Sequence, residues 1–147
     1  MKRAALMLVC ALLAAALVGC KPPEVSPVYG SYIADYAAAT ETLTLKPDGT
    51  FVQSVTLRPH GKPVTSTGHW HFDQPTAFVI FDSGYIEVLD LLGRPRPDYA
   101  QPLSGEVFMP VVRCLGRLYI GSGRFVLYAK KEPSRIPYAT QICGALF

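Results

Sequence analysis

The sequence lacks the short motifs on which several enzyme classes depend. It contains no Gly-x-Ser-x-Gly turn for a nucleophilic serine, no Cys-x-x-Cys pair and no glycine-rich loop for a phosphate. It also lacks a convincing amphipathic helix and the strong positive charge that nucleic-acid binding requires. We therefore expect a protein that is not an enzyme, binds no nucleic acid and uses no cofactor.

The first residues have the layout of an export signal. Met1-Lys2-Arg3 precedes an apolar stretch from Ala4 to Val18, which is too short for a stable membrane span. The stretch ends in Leu17-Val18-Gly19-Cys20, and this ending resembles the lipobox of bacterial lipoproteins. The resemblance implies that residues 1–19 are a helical signal peptide and that Cys20 becomes the lipidated first residue of the mature protein. The alternative is an ordinary cleaved signal in which Cys20 is incidental.

The residues after Cys20 indicate where the anchor leads. Lys21 stands where lipoproteins of the inner membrane often carry aspartate, so the resemblance implies a cell-envelope lipoprotein, held in the outer membrane and facing the periplasm. Residues 20–28 contain three prolines, a composition typical of an extended tether. We expect the folded domain to cover residues 29–147 and to be attached to the membrane through the lipid on Cys20.

The mature chain has the size and charge of a single small domain. Cleavage after residue 19 of 147 leaves 128 residues, and the loss of two of the 14 basic residues leaves 12 against 11 acidic ones, a net charge of +1. Cys10 is removed as well, which leaves Cys114 and Cys143 as the thiols of the exported domain. An oxidising compartment favours a disulfide between them, and the alternative is two buried, unpaired cysteines.

Short β-rich segments separated by turn residues make up the domain. The clearest hairpin has two alternating strands around Pro47-Asp48-Gly49, in which proline presets one turn angle and glycine accepts a positive φ. The segments indicate an all-β antiparallel meander of about eight strands, closed into a barrel, with a two-layer β-sandwich as the alternative. The predicted strands are Tyr29–Tyr36, Glu41–Leu45, Thr50–Leu57, Val64–Asp73, Ala77–Phe81, Tyr85–Leu91, Glu106–Cys114, Arg117–Ile120 and Phe125–Lys130.

Three motifs in the first half of the domain carry a second resemblance. Gly30-Ser31-Tyr32, Asp48-Gly49-Thr50-Phe51 and Gly68-His69-Trp70-His71-Phe72-Asp73 are similar to segments of small bacterial lipocalin-like lipoproteins. The similarity covers residues 29–82. It implies a lipocalin-like β-barrel, and it assigns no ligand-binding residue.

A lipocalin-like barrel either holds a ligand or is filled by its own side chains. Tyr32, Phe51, Trp70 and Phe72 are the candidates for lining a ligand cavity, because aromatic residues are typical of apolar pockets and equally of packed cores. The sequence thus predicts a binding module for a small apolar ligand. The alternative is a protein-interaction, inhibitor or immunity-type lipoprotein with a solid barrel and an envelope protein as its partner.

Two further groups of residues are candidates for recognition. Arg94, Arg96 and Tyr99 lie in a stiff Pro-rich loop that we predict to contact a partner, although such a loop also serves simply to blunt a sheet edge. His69 and His71 share one face of a strand and are weak candidates for metal ligands. Ligands two residues apart on a strand are widely spaced, so we predict a solvated face there and no metal site.

Overall fold

The computed structural model describes residues 28–90, 93–96, 101–114, 116–121 and 126–131, and within them the protein is all-β. Each strand pairs antiparallel with the next, and β1 pairs with β8 to close the barrel. The predicted all-β meander and its closure into a barrel are confirmed, and the sandwich alternative is wrong. The strands are β1 (Gly30–Asp35), β2 (Ala39–Leu45), β3 (Thr50–Leu57), β4 (Val64–Asp73), β5 (Phe78–Phe81), β6 (Val107–Cys114), β7 (Arg117–Ile120) and β8 (Tyr128–Lys130).

The predicted N-terminal signal helix, Cys20 and nearly all of the tether lie outside the described residues. No helix in the described part of the chain is both long and apolar enough to cross a membrane.

The hairpin of β2 and β3 follows the predicted turn chemistry. Gly49 has a φ of +80°, which glycine adopts without the steric cost that a Cβ brings. Asp48 accepts hydrogen bonds from the Thr50 backbone N–H at 2.9 Å and from the Thr50 hydroxyl at 2.7 Å. These contacts fix the register in which Leu45 faces Phe51 across the hairpin.

Alternation along β4 separates an apolar inner face from a polar outer one. Trp70 is buried, with its indole N–H donating to the backbone carbonyl oxygens of Lys46 and Thr50, whereas His69 and His71 are exposed. Phe72 is half-buried against the core. The predicted direction of this strand is therefore correct, because burial of the indole ring sets which face points inward.

Residues 85–90, the described part of the predicted strand Tyr85–Leu91, do not form a strand. The described part of this segment has one isolated bridge, between Leu89 and Pro95, and no ladder. Its backbone groups bond elsewhere: the Ile86 N–H donates to the side chain of Gln53, and the Val88 carbonyl accepts from the Arg96 N–H. The apolar run is buried because it packs against inward-facing side chains of β2 and β3, not because it lies in the sheet.

Candidate functional site

Residues 83–90, which we call the strap, pack against inward-facing side chains of the barrel. Ile86 and Val88 of the strap pack with Ala39 and Val55, inward-facing residues at the start of β2 and near the end of β3. All four side chains are buried. This part of the strap therefore lies near the barrel end at which β2 begins.

Two glycines allow the strap to approach β4 closely. A Cβ at Gly68 would lie 2.3 Å from the carbonyl oxygen of Ser83, and a Cβ at Gly84 would lie 2.5 Å from the carbonyl oxygen of Thr67. Gly84 also has a φ of +82°. Neither position accepts a larger residue without moving the backbone.

A buried carboxylate lies inside the barrel near the strap. Glu41 of β2 is 1 % exposed. Its Oε1 accepts a hydrogen bond from the Tyr36 hydroxyl, and its Oε2 accepts from the Tyr128 hydroxyl and from Gln53 Nε2, the last at 2.9 Å. Burial of an ionisable side chain costs free energy unless polar groups compensate it, and here three donors do so.

The same hydrogen bonds extend to the strap. Because the Tyr128 hydroxyl donates to Glu41, the Tyr85 hydroxyl, 2.9 Å away, donates to Tyr128. Gln53, which donates to Glu41, also connects the cluster to the strap, because its side-chain amide bonds the backbone of Ile86. We call the five side chains the polar cluster; they are Tyr36, Glu41, Gln53, Tyr85 and Tyr128.

Burial changes the proton affinities of the cluster. Desolvation raises the pKa of Glu41, and the hydrogen bonds from Tyr128, Tyr36 and Gln53 partly oppose that rise. Desolvation also raises the pKa of Tyr36, Tyr85 and Tyr128, and the negative charge of Glu41 adds to it in each case. The three hydroxyls therefore stay protonated and act as donors throughout the physiological pH range.

A cavity of about 240 Å³ adjoins the polar cluster. The strap, the first half of β6, and Gly121 and Val126 between β7 and β8 form its walls. Its apolar lining consists mainly of Val88, Leu89, Val107, Met109 and Val126, and its polar lining includes Glu41 and Tyr85. This mixture of apolar walls with a few convergent polar groups is typical of small-molecule sites.

Comparisons with known proteins identify no relative of this chain. No protein-family model, curated protein or solved structure matches the chain. The interpretation of the site therefore rests on its own contacts.

The aromatic residues predicted to line a ligand cavity lie elsewhere. Tyr32, Phe51 and Trp70 are buried in the main core, where Phe51 contacts Phe81 edge-to-face with ring centroids 5.0 Å apart. The Tyr32 hydroxyl donates to the Val28 carbonyl at 2.6 Å. None of these three, nor Phe72, is among the residues that line the 240 Å³ cavity. They fill the barrel rather than surround the described space.

The predicted partner loop is tied back to the strap. Arg94 Nε lies 3.1 Å from a carboxylate oxygen of Asp90, and Arg96 Nη1 lies 2.5 Å from a carboxylate oxygen of Glu87. The Arg96 backbone N–H also donates to the Val88 carbonyl at 2.8 Å. Both arginines thus hold the strap, and Tyr99 lies outside the described residues.

The remaining candidate residues are the histidines of β4 and the two cysteines. His71 Nδ1 lies 3.2 Å from a carboxylate oxygen of Asp82, and both side chains are about half exposed. Within the described ranges, no three histidine, cysteine, aspartate or glutamate side chains come together as a metal site would require. Cys114 is disulfide-bonded. Cys143 lies outside the described residues, so its pairing with Cys114 stays a prediction.

Sequence reasoning missed Glu41 and Gln53. On β2, alternation puts Glu41 on the same inward face as Leu43 and Leu45, and on β3 it puts Gln53 on the same face as Phe51 and Val55. Polar residues at inward positions of two paired strands were the available signal. Their contacts with Tyr128, 87 and 75 residues further along the chain, have no local signature.

Proposed function

We propose that this protein is a lipid-anchored binding module of the bacterial cell envelope that holds a small, largely apolar ligand in the cavity beside Glu41. The observation that supports the ligand most directly is the cavity itself. Apolar side chains of the strap and β6 form most of its lining, and burying apolar ligand surface against them is favourable by about 25 cal/mol per Å². The proposed role is binding rather than catalysis, since the cluster's carboxylate and hydroxyl groups mostly bond one another.

The anchor is supported by the sequence. The leader, the Leu17–Cys20 ending and the Pro-rich residues that follow fit a lipoprotein whose barrel is held close to the outer membrane on its periplasmic side. Two or three acyl chains on one cysteine would make attachment effectively permanent.

A matched pair of cysteine variants tests the anchor. Cys20→Ser should abolish metabolic labelling with radioactive palmitate and release the protein from the membrane fraction. Cys10→Ser lies within the leader and should leave both unchanged. A Cys20→Ser protein that still takes up label and sediments with membranes contradicts the lipobox interpretation.

Two substitutions on β6 test the binding module. Val107 lines the cavity, so Val107→Trp should fill it, whereas Arg113 is exposed on the same strand and Arg113→Trp should not. Native mass spectra of the full chain, exported and released from nanodiscs, should show a bound molecule that dissociates on denaturation. We expect the Val107→Trp spectrum to lose that added mass and the Arg113→Trp spectrum to keep it.

One observation favours a second candidate function. Phe108 is 56 % exposed at the cavity wall, the one large hydrophobic side chain with such exposure in the described ranges. An aromatic residue of this kind is a common anchor in protein interfaces. The second candidate is therefore an interaction, inhibitor or immunity-type lipoprotein. A photocrosslink to one envelope protein from position 108 and not from position 113, with no ligand in the native spectra, would favour it.

A further inference from the structure

The charges around the cavity are unevenly neutralised. Three acidic residues line it, Glu41, Glu87 and Asp90, whereas none of its lining residues in the described part of the chain is a lysine, arginine or histidine. Glu87 is paired with Arg96, and Asp90 with Arg94. In the described part of the chain, no cationic side chain bonds Glu41. Among the described residues, a charge on Glu41 therefore has hydrogen-bond donors but no counter-ion.

The carboxylate of Glu41 also has room for one more donor. An ionised carboxylate offers about four acceptor positions, two on each oxygen. Tyr128 and Gln53 occupy both positions on Oε2, and Tyr36 occupies one on Oε1. One acceptor position of a buried group that lines a cavity thus remains unfilled by the described residues.

We infer that the ligand of this cavity is a small amine, whose ammonium group donates to the carboxylate of Glu41 while its hydrocarbon body lies against the apolar walls. This inference rests on the proposed function. An ammonium supplies a fourth donor and a positive charge, neither of which the described residues provide to Glu41. Charge-assisted hydrogen bonds are about twice as strong as neutral ones.

The size of the cavity limits the hydrocarbon body. Its volume of about 240 Å³ is below the ~300–1,000 Å³ of pockets for drug-sized molecules. A single six-membered ring or a short branched chain suits it, whereas a long acyl chain does not. Val88, Leu89 and Met109 would contact that body.

Three small ligands with the same ring distinguish the effect of charge on binding from the effect of shape. Cyclohexylamine, cyclohexanol and cyclohexanecarboxylate carry an ammonium, a neutral hydroxyl and a carboxylate on the same ring. The full chain is placed in phosphatidylcholine nanodiscs, whose zwitterionic surface does not concentrate the amine as anionic lipids would. The reporter is the ¹³C-labelled methyl group of Met109, which lines the cavity and is assigned by its loss in Met109→Leu.

In the wild type, we expect cyclohexylamine to bind about tenfold or more tightly than cyclohexanol, and the carboxylate more weakly than either. Glu41→Gln keeps the side-chain shape and should reduce amine affinity about tenfold while leaving cyclohexanol within about twofold. Glu106→Gln, an exposed carboxylate that does not line the cavity, should change nothing.

Each contrary result has a distinct meaning. Equal affinities for amine and alcohol, or an amine preference that survives Glu41→Gln, would overturn this inference and leave the proposed binding function standing. If no probe shifts the Met109 methyl resonance, the cavity takes no ligand of this size and both proposals fail.

If Glu41→Gln does not fold, the pH dependence of ligand binding by the wild type tests the inference instead. The ratio of amine to alcohol affinity should rise with pH as Glu41 ionises. Tyr36, Tyr85 and Tyr128 face Glu41 and remain protonated, because burial raises the pKa of each. The other lining carboxylates, Glu87 and Asp90, are paired with arginines. A ratio that stays constant from about pH 4 to pH 9 would overturn the inference.

Discussion

The side-chain amide of Gln53 hydrogen-bonds both backbone polar groups of Ile86. The Ile86 N–H donates to Gln53 Oε1 at 2.7 Å, and Gln53 Nε2 donates to the Ile86 carbonyl at 2.9 Å. Gln53 thereby does for the strap what a neighbouring strand does for a strand in a sheet. A buried segment without a ladder would otherwise leave both groups unsatisfied.

We predict that Gln53→Leu destabilises the protein by about 2–4 kcal/mol, because the Ile86 N–H and carbonyl both lose their partner while staying buried. Urea denaturation measures the loss, and hydrogen exchange at the Ile86 amide should accelerate. Ser54→Ala, at the next position and not facing the strap, should have little effect on either. Unchanged exchange at Ile86 in Gln53→Leu would show that other contacts hold the strap.

The stability of the wild type should fall relative to Glu41→Gln as pH rises. Because burial raises the pKa of Glu41 in the folded state, folding favours its protonated form. That contribution is complete below the unfolded-state pKa of about 4.3 and is lost as pH rises through the folded-state pKa. The slope approaches about 1.4 kcal/mol per pH unit within that window.

Urea denaturation of both proteins at a series of pH values measures this difference. Glu106→Gln is the control, since its exposed side chain lies outside the cluster. A stability difference between wild type and Glu41→Gln that is the same at every pH contradicts the assignment of a raised pKa.

We expect Ala77→Gly to stabilise the protein. Ala77 has a φ of +57° in the turn between β4 and β5, a region in which an L side chain costs about 1–2 kcal/mol. Ala77→Gly removes that cost and adds unfolded-state entropy, for a net gain of about 0.5–1 kcal/mol. Ala37→Gly, at a turn residue without a positive φ, should instead destabilise the protein in the same thermal unfolding measurement.

Removal of the hydroxyl group should affect stability in opposite directions at Tyr119 and at Tyr128. The Tyr119 hydroxyl is buried without a hydrogen-bond partner among the described residues, so Tyr119→Phe should be neutral or stabilise by up to about 1 kcal/mol. The Tyr128 hydroxyl donates to Glu41 and accepts from Tyr85, so Tyr128→Phe should destabilise by about 1–3 kcal/mol. Chemical denaturation of the two variants compares them directly, and a larger loss for Tyr119→Phe would reverse the interpretation.

Local rules were sufficient for the parts of the fold that depend on neighbours in sequence. The Pro47-Asp48-Gly49 turn, the inward direction of Trp70 and the bounds of β4 all follow from turn chemistry and period-two alternation. The same rules predicted a further strand between β5 and β6, at Tyr85–Leu91, and its described residues 85–90 do not form one. The apolar residues of the strap are buried by tertiary contacts, and a short apolar run does not reveal which kind of burial it has.

The candidate site was less accessible to sequence reasoning. The prediction of a cavity rested on aromatic residues, yet Phe51 and Trp70 lie in the hydrophobic core. Large rings pack in a core as readily as they line a cavity. The polar cluster joins β2, β3, the strap and β8. Only the folded barrel brings those four segments together.

The pairing of β1 with β8 sets an order for assembly. Every other strand pairs with its neighbour in the chain, whereas Tyr32 and Ile33 pair with residues almost 100 positions away, Lys130 and Ala129. Hairpins form from short loops at small entropic cost, whereas this seam closes a far longer loop, and its described part has two paired positions. We therefore expect closure to be the last step of folding and the first to open. Because Tyr128 begins β8, an open seam would also separate Tyr128 from Glu41, so that the cavity exists only in the closed ring.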